Sequence, residues 1–207
     1  SGGDGIGVSG KDIVIRNCVM DDNHRQGMSI FSVENLLVEK CVMSNTKGTP
    51  PQSGIDIEPD LAGERLINVV IRDCLSINNA GHGYELFLPN LRSKSPPVSV
   101  TFENCRTFGN GRSLRVVGNL RGNDNVAGTI AFRNCSFEAD KTGGLLVRAS
   151  PADAFDVNFI DCVVSNVMPG VENADVVFSG RGIEHPCVDG VSLTGLKISQ
   201  PLERKWF

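Results

Sequence analysis

The chain has 207 residues, of which 40 per cent are hydrophobic and 21 per cent are charged, and its formal net charge is -4. This balance indicates a globular protein and gives no reason to expect nucleic acid as a partner. No apolar run approaches the roughly 20 residues that a membrane-spanning helix needs, so we expect no membrane span.

Six similar segments, each ending in a cysteine, follow one another along the chain. They read IVIRNC, LLVEKC, VVIRDC, VTFENC, IAFRNC and NFIDC, and their cysteines stand at 18, 41, 74, 105, 135 and 162. Apolar residues occupy the third and fifth positions before each cysteine, so each segment alternates with the period of a β-strand. Recurrence at intervals of 23 to 33 residues indicates a repeat array.

A second recurring strand precedes each of these segments. It reads DGIGV, QGMSI, SGIDI, HGYEL, RSLRV and GGLLV, and turns rich in Asn and Gly lead into it. Short strands, polar corners and stacked apolar columns are typical of a solenoid. We therefore predict an all-β fold, a single-chain right-handed parallel β-helix of about six to seven coils. The cysteines should be free thiols that line its interior as small hydrophobic groups.

We expect one domain over residues 1–207, with regular coils over about 4–170 and a less regular last coil and tail over about 171–207. No amphipathic helix precedes the first coil to cover its open end, although repeat arrays generally cover such ends. This predicts a homo-oligomer, or additional domains of a longer chain, that shield the coil ends.

The repeat pattern resembles the pectin-lyase-like superfamily of right-handed parallel β-helix proteins. The resemblance covers roughly residues 4–170 and rests on the repeat, since no catalytic signature of the superfamily's classical pectate lyases or polygalacturonases occurs. It implies an enzyme of the polysaccharide lyase, glycoside hydrolase or epimerase type, with a polysaccharide or glycan as partner. It also implies a secreted protein with an extracellular or cell-surface location.

The segment SGIDIEPD at 53–60 carries the main candidate site. The cysteine register places Asp56 beside Glu58 on one strand and next to Glu85 on the following coil, with His82 three residues before Glu85. We predict that these four catalytic candidates form an outward-facing patch. Carboxylates about 5 Å apart across coils, or about 7 Å apart along a strand, suit glycoside hydrolysis. Repulsion between them would keep one protonated as a general acid.

Five further side chains near this patch are substrate-binding candidates. Exposed aromatic rings can stack on sugars, and arginines can bind a uronate carboxylate. These candidates are Arg25, Phe31, Phe87, Arg115 and His24. Loops at 46–52, 88–97 and 118–125 are expected to form the walls of a groove.

Three interpretations remain open at this point. Hydrolysis, which requires no cofactor, is favoured because acids outnumber candidate bases. Uronate elimination or epimerisation would use Ca²⁺ held by Asp56, Glu58 and Glu85, with His82 or an arginine as base. The only tyrosine, Tyr84, should point inward, which counts against a tyrosine-dependent lyase. The alternative class is a non-catalytic glycan-binding or structural module of a surface protein or viral tail spike.

Overall fold

The computed structural model describes residues 3–119, 124–138, 141, 143–148, 155–165, 177–179, 191–195 and 197–199. Within these ranges the chain forms strands and no helix, and every strand pair is parallel. The predicted all-β parallel solenoid is therefore confirmed. No helix in the described ranges is long and apolar enough to cross a membrane.

Three faces build the solenoid. The first contains β5 (Ile55–Ile57), β8 (His82–Phe87), β11 (Arg112–Val117), β14 (Gly143–Arg148) and β17 (Val177–Ser179). The second contains β6 (Leu66–Arg72), β9 (Val98–Glu103), β12 (Gly128–Arg133), β15 (Asp156–Ile160) and β18 (Val191–Thr194). The third is a seven-stranded sheet of β2 (Val19–Asp21), β4 (Val42–Ser44), β7 (Leu75–Ile77), β10 (Arg106–Phe108), β13 (Ser136–Glu138), β16 (Val163–Ser165) and β19 (Lys197–Ser199).

Two long strands, β1 (Ile6–Arg16) and β3 (Met28–Glu39), join the first two faces into one 12-stranded sheet. The first residues of β3 pair with β5 and its last residues pair with β6. In later coils a loop separates the two halves. These loops, at 58–65, 88–97 and, in its described parts, 118–119 and 124–127, begin where a strand of the first face ends.

The corner before each inward cysteine depends on one residue with a left-handed backbone. Asn and Asp adopt this conformation more readily than other non-glycine residues, because their short polar side chains bond locally. Five of the six corner residues are of these two types, and all six have φ between 51° and 54°: Asn17, Lys40, Asp73, Asn104, Asn134 and Asp161. This composition explains the polar residue that precedes each cysteine in the repeat.

The core consists of columns of inward side chains. Phe132 lies between Phe102 and Phe159, with ring centroids 4.9 and 5.0 Å apart, and its ring is nearly parallel to both. Tyr84 joins this stack and is fully buried, as predicted. The six repeat cysteines are free, and all except the half-buried Cys18 are buried.

The third face has seven strands, and four of them lie within the first 125 residues. About four turns lie within the first 125 residues, fewer than the six to seven predicted for the whole chain. Beyond residue 125 the third face continues with β13, β16 and β19, whereas most of the tail over 171–207 falls outside the described residues.

Candidate functional site

The two central acids lie side by side on the first face. Asp56 of β5 is paired with Glu85 of β8, and Glu85 is paired with Arg115 of β11. On the other side, Asp56 is paired with Ser29 of β3. Since strands in one sheet are about 4.8 Å apart, these four side chains form one continuous column. This is the neighbour order that the cysteine register predicts.

The burial of this column differs from the prediction. Asp56 is only 1 per cent exposed and Glu85 only 2 per cent, so the expectation that both face solvent was wrong. Their strand positions do point away from the core. However, long side chains on adjacent coils bond to them and cover them, whereas strand alternation alone predicts only the side of the sheet.

Asp56 accepts a hydrogen bond from the side chain of a residue on the preceding coil. Gln26 Nε2 donates to Asp56 Oδ2 at 2.6 Å, and both residues are buried. The other oxygen, Asp56 Oδ1, is also buried and receives no donor from the described residues. Among the described residues, only one of the two Asp56 oxygens therefore has a hydrogen-bond donor.

This environment favours the protonated form of Asp56. Burial, followed by the negative charges of Glu85 and Glu58, raises the pKa of Asp56 from 3.8 to about 9. A hydrogen bond between the Asp56 and Glu58 carboxyls adds to this rise. The Glu58 carboxyl is therefore close enough to act on Asp56.

Glu85 has a different set of partners. It forms an ion pair with Arg115 and accepts a hydrogen bond from the Ser53 hydroxyl at 3.0 Å. Its Oε2 also lies 3.8 Å from His82 Nε2. Arg115 supplies the opposite charge that a buried carboxylate needs. The Glu85 carboxylate on β8 therefore has a charged partner, Arg115, and lies next to the neutral Asp56 on β5.

His82 joins the cluster as a neutral imidazole. Burial and the positive charges of Arg115 and Arg112 lower its pKa from 6.5 to about 4. Its side chain is 22 per cent exposed, and its Nδ1 is buried without a hydrogen-bond partner in the described part of the chain. The ring is therefore unprotonated at neutral pH.

Of the two neighbouring residues from the corner before β3, only one joins the acids. Arg25 lies 3.4 Å from Glu58 and 3.6 Å from Asp4, so it bridges two coils. His24 instead bonds to the Thr49 hydroxyl at 3.0 Å in the loop at 46–52 and is exposed. The structure thus supports grouping Arg25 with the site and gives His24 a different partner.

A cavity of about 410 Å³ lies beside the cluster. It is lined by Phe87, Pro89, Arg92, Arg115, Val117, Gly118 and Asn119, so the loops after β8 and β11 contribute to its wall. The Arg115 guanidinium lies 5.5 Å from the centre of the Phe87 ring. Both predicted aromatic candidates, Phe31 and Phe87, are half-buried rather than fully exposed. The cavity volume falls in the range of small-ligand sites.

The three carboxylates do not form a ready metal site. No group of three or more His, Cys, Asp or Glu side chains in the described residues is arranged to hold a metal ion. Asp56 bonds to Gln26, Glu85 pairs with Arg115 and Glu58 pairs with Arg25. Each carboxylate that the Ca²⁺ interpretation would use is thus directed at another side chain.

Three residues of the site were not among the sequence candidates: Gln26, Ser53 and Arg92. Gln26 and Ser53 precede the glycines of their strands, and His82 occupies the same column one coil later. Because His82 was a candidate, this shared column is the sequence feature from which Gln26 and Ser53 could have been predicted. Arg92 belongs to the loop at 88–97, and the loop conformation that turns it toward β11 has no repeat pattern from which it could be predicted.

Comparison with known proteins agrees with this architecture. The model of the family described as a right-handed β-helix region matches residues 1–125, more than half of the chain. An uncharacterized protein of Bacillus subtilis (strain 168), YclG, is 28 per cent identical over 123 residues, which cover 53 per cent of this chain and 20 per cent of that protein. The chain thus spans about a fifth of that relative's length. No solved structure matches the chain.

The handedness of the solenoid follows from the family match, and the resemblance to the pectin-lyase-like superfamily is consistent with it. The fold suggests a carbohydrate-related or surface protein. The parallel register of the strand pairs agrees with this description. The chain belongs to the right-handed β-helix family.

Proposed function

We propose that the chain cleaves a polysaccharide by hydrolysis at the acids of β5 and β8. The observation that carries this proposal is the convergence of Asp56, Glu58 and Glu85 on two adjacent coils, with unequal environments. Glycoside hydrolysis needs one carboxylic acid that is protonated and a second group that is not. A cluster of this kind can supply both at one pH.

The acid in this proposal is the Asp56–Glu58 pair. The two carboxyls share a hydrogen bond, and the Glu58 side chain is 27 per cent exposed while Asp56 is buried. Glu58 is therefore the member of the pair that contacts the substrate, and the buried Asp56 carries the proton. Proton transfer to the glycosidic oxygen lets the bond to the sugar carbon break and releases a hydroxyl on the leaving sugar.

The base in this proposal comes from the next coil. His82 is unprotonated at neutral pH and lies 3.8 Å from Glu85, so the imidazole can take a proton from an attacking water. Glu85 then stabilises the resulting imidazolium. Arg115 keeps Glu85 in place from the other side. The cavity beside Phe87, which two arginines line, is the proposed sugar-binding groove.

The same residues fit uronate elimination less well than they fit hydrolysis. Such a reaction often takes a tyrosine as proton donor, as the superfamily resemblance implies, and Tyr84 is fully buried. Its hydroxyl instead donates to the backbone carbonyls of Cys74 and Arg106 at 3.2 Å. We therefore place hydrolysis ahead of elimination and epimerisation.

A non-catalytic glycan-binding or structural role is the second candidate, and the burial of the acids favours it. Asp56 and Glu85 expose almost no surface to a polymer, and Glu85 is already paired with Arg115. In this alternative the acids only support the wall of the groove. The sugar would then stack on Phe87 and bond to Arg92 and Asn119 without being cleaved.

One experiment separates these functions. The protein is incubated with a panel of acidic and neutral polysaccharides, and each reaction is read for new reducing ends and for the absorbance of an unsaturated uronate. Hydrolysis gives reducing ends alone, and elimination gives both signals. Binding to a polysaccharide in calorimetry with neither signal would overturn the hydrolase proposal in favour of the glycan-binding module.

A further inference from the structure

Gln26 is a fully buried glutamine whose side-chain amide is fixed at both ends. Its Oε1 accepts a hydrogen bond from the backbone N–H of Ser53 at 2.9 Å, and its Nε2 donates to Asp56 Oδ2 at 2.6 Å. A backbone N–H can only donate, so it must face the amide oxygen. The Ser53 contact therefore determines that the NH₂ group, rather than the oxygen, faces Asp56.

This orientation distinguishes the two oxygens of Asp56. Oδ2 already accepts from Gln26, whereas Oδ1 is buried and receives no donor from the described residues. A buried carboxylate oxygen without a donor is costly, but a protonated Oδ1 becomes a donor itself. Glu58 is the neighbouring carboxyl that can accept from it. The hydrogen-bond geometry thus selects one oxygen as the place of the proton.

We propose that Gln26 is a positioning residue, which keeps the proton of Asp56 on Oδ1 and binds Oδ2 when that proton leaves. Its role in catalysis depends on the proposed hydrolase function, but its effect on the proton does not. As the proton passes through Glu58 to the glycosidic oxygen, Asp56 becomes a carboxylate. The Gln26 N–H remains hydrogen-bonded to Oδ2 and stabilises that negative charge.

Several charged groups also act on Asp56 and set the background for this effect. Glu58, directly after β5, raises the pKa of Asp56 and Arg25 in the corner before β3 lowers it, while Glu85 on β8 raises it. Farther along the column, Arg115 and His82 contact Glu85. From β3, Ser29 donates to Asp4 rather than to Asp56. Gln26 is therefore the neutral donor in direct contact with the Asp56 carboxyl.

The first test uses the unaltered protein. The carboxyl ¹³C resonance of Asp56 and the side-chain amide protons of Gln26 are followed by NMR between pH 5 and pH 10. We expect the Gln26 amide protons to shift with the same midpoint as the Asp56 carboxyl. The amide of Gln52, which donates to the Gly48 carbonyl at 2.7 Å, is the internal control and should not follow that midpoint. Gln26 amide signals that ignore the Asp56 titration would overturn the proposal.

The second test removes the donor. In Gln26→Met, the titration midpoint of Asp56 should rise by about one pH unit or more, because its carboxylate loses a hydrogen bond. A purely structural role predicts a lower melting temperature with an unchanged midpoint, and that result would also overturn the proposal. If Gln26→Met does not fold, the titration of the unaltered protein decides. Confirmed titrations in a protein that cleaves no polysaccharide would contradict the hydrolase function alone.

Discussion

Asp56 and Glu85 occupy the same position on neighbouring coils, yet Asp56 faces a glutamine amide while Glu85 faces an arginine. This difference in partners separates their chemistry. Glu85 has an opposite charge to compensate its burial, whereas Asp56 is disfavoured as a carboxylate by burial and by two adjacent acids. The column therefore contains one neutral and one charged acid side by side.

The first prediction concerns the stability of variants at these two positions. Asp56→Asn should raise the free energy of unfolding at pH 7, by about 1–4 kcal/mol, because an amide cannot ionise in the unfolded chain. Glu85→Gln should lower it by about 1–3 kcal/mol, since Arg115 then lacks its charged partner. Urea unfolding of both variants measures these changes. Destabilisation by Asp56→Asn as large as that by Glu85→Gln would contradict the account.

The second prediction is the pH dependence of stability. The pKa of Asp56 rises from 3.8 to about 9 on folding, so the folded state holds a proton that the unfolded state has released between these values. Stability therefore falls with rising pH in that window, by at most about 1.4 kcal/mol per pH unit. The pKa of His82 falls from 6.5 to about 4, so its contribution rises with pH between those values.

These two contributions nearly cancel between pH 4 and 6.5, and only the decline due to Asp56 remains from pH 6.5 to about 9. Urea unfolding at a series of pH values measures the slope. In Asp56→Asn the decline above pH 6.5 should disappear. If the stability of Asp56→Asn declined above pH 6.5 as steeply as that of the unaltered protein, groups other than Asp56 would cause the decline. That result would contradict the prediction.

The third prediction compares two arginines in similar local settings. Arg115 pairs with Glu85 and lies 5.5 Å from the centre of the Phe87 ring, and Arg106 pairs with Glu138 and lies 5.7 Å from that of Phe108. The pairs differ in burial, since Glu85 is buried and Glu138 is partly exposed.

Because removal of Arg115 leaves a buried charge unpaired, Arg115→Met should cost about 3 kcal/mol or more. The matched control Arg106→Met breaks a solvent-exposed pair and should cost less than about 1 kcal/mol. Thermal and urea unfolding of the two variants give the comparison. Similar losses of stability in the two variants would contradict the account. They would show that the burial of Glu85 does not increase the cost of removing its arginine.

The sequence predicts which residues are neighbours better than it predicts how they are buried. The repeat of cysteines and apolar residues determines the register, and the register alone places Asp56 next to Glu85 and Glu85 next to Arg115. A left-handed residue also recurs directly before each of the six cysteines. Neighbour order was therefore predictable because a parallel solenoid has a single periodic rule.

Burial and hydrogen bonding depend on side-chain conformations that the repeat does not specify. The same outward position is buried at Asp56 and half-buried at Arg115, because Gln26, Ser53 and other side chains differ from coil to coil. The contact between Asp56 and Glu58 likewise requires both side chains to turn toward each other, which strand spacing alone does not predict. The loop that contributes Arg92 to the cavity follows no periodic pattern at all.

The most direct test of the central claim is the rate at which Glu58→Gln releases reducing ends from a polysaccharide that the unaltered protein cleaves. Loss of a general acid should lower this rate by about 10² to 10⁴-fold. The control is Glu39→Gln, which removes a carboxylate paired with Arg16 and Arg72 on the second face and should leave the rate within about twofold, since it breaks only contacts outside the site. A Glu58→Gln variant as active as Glu39→Gln would contradict the proposed role of the Asp56–Glu58 pair.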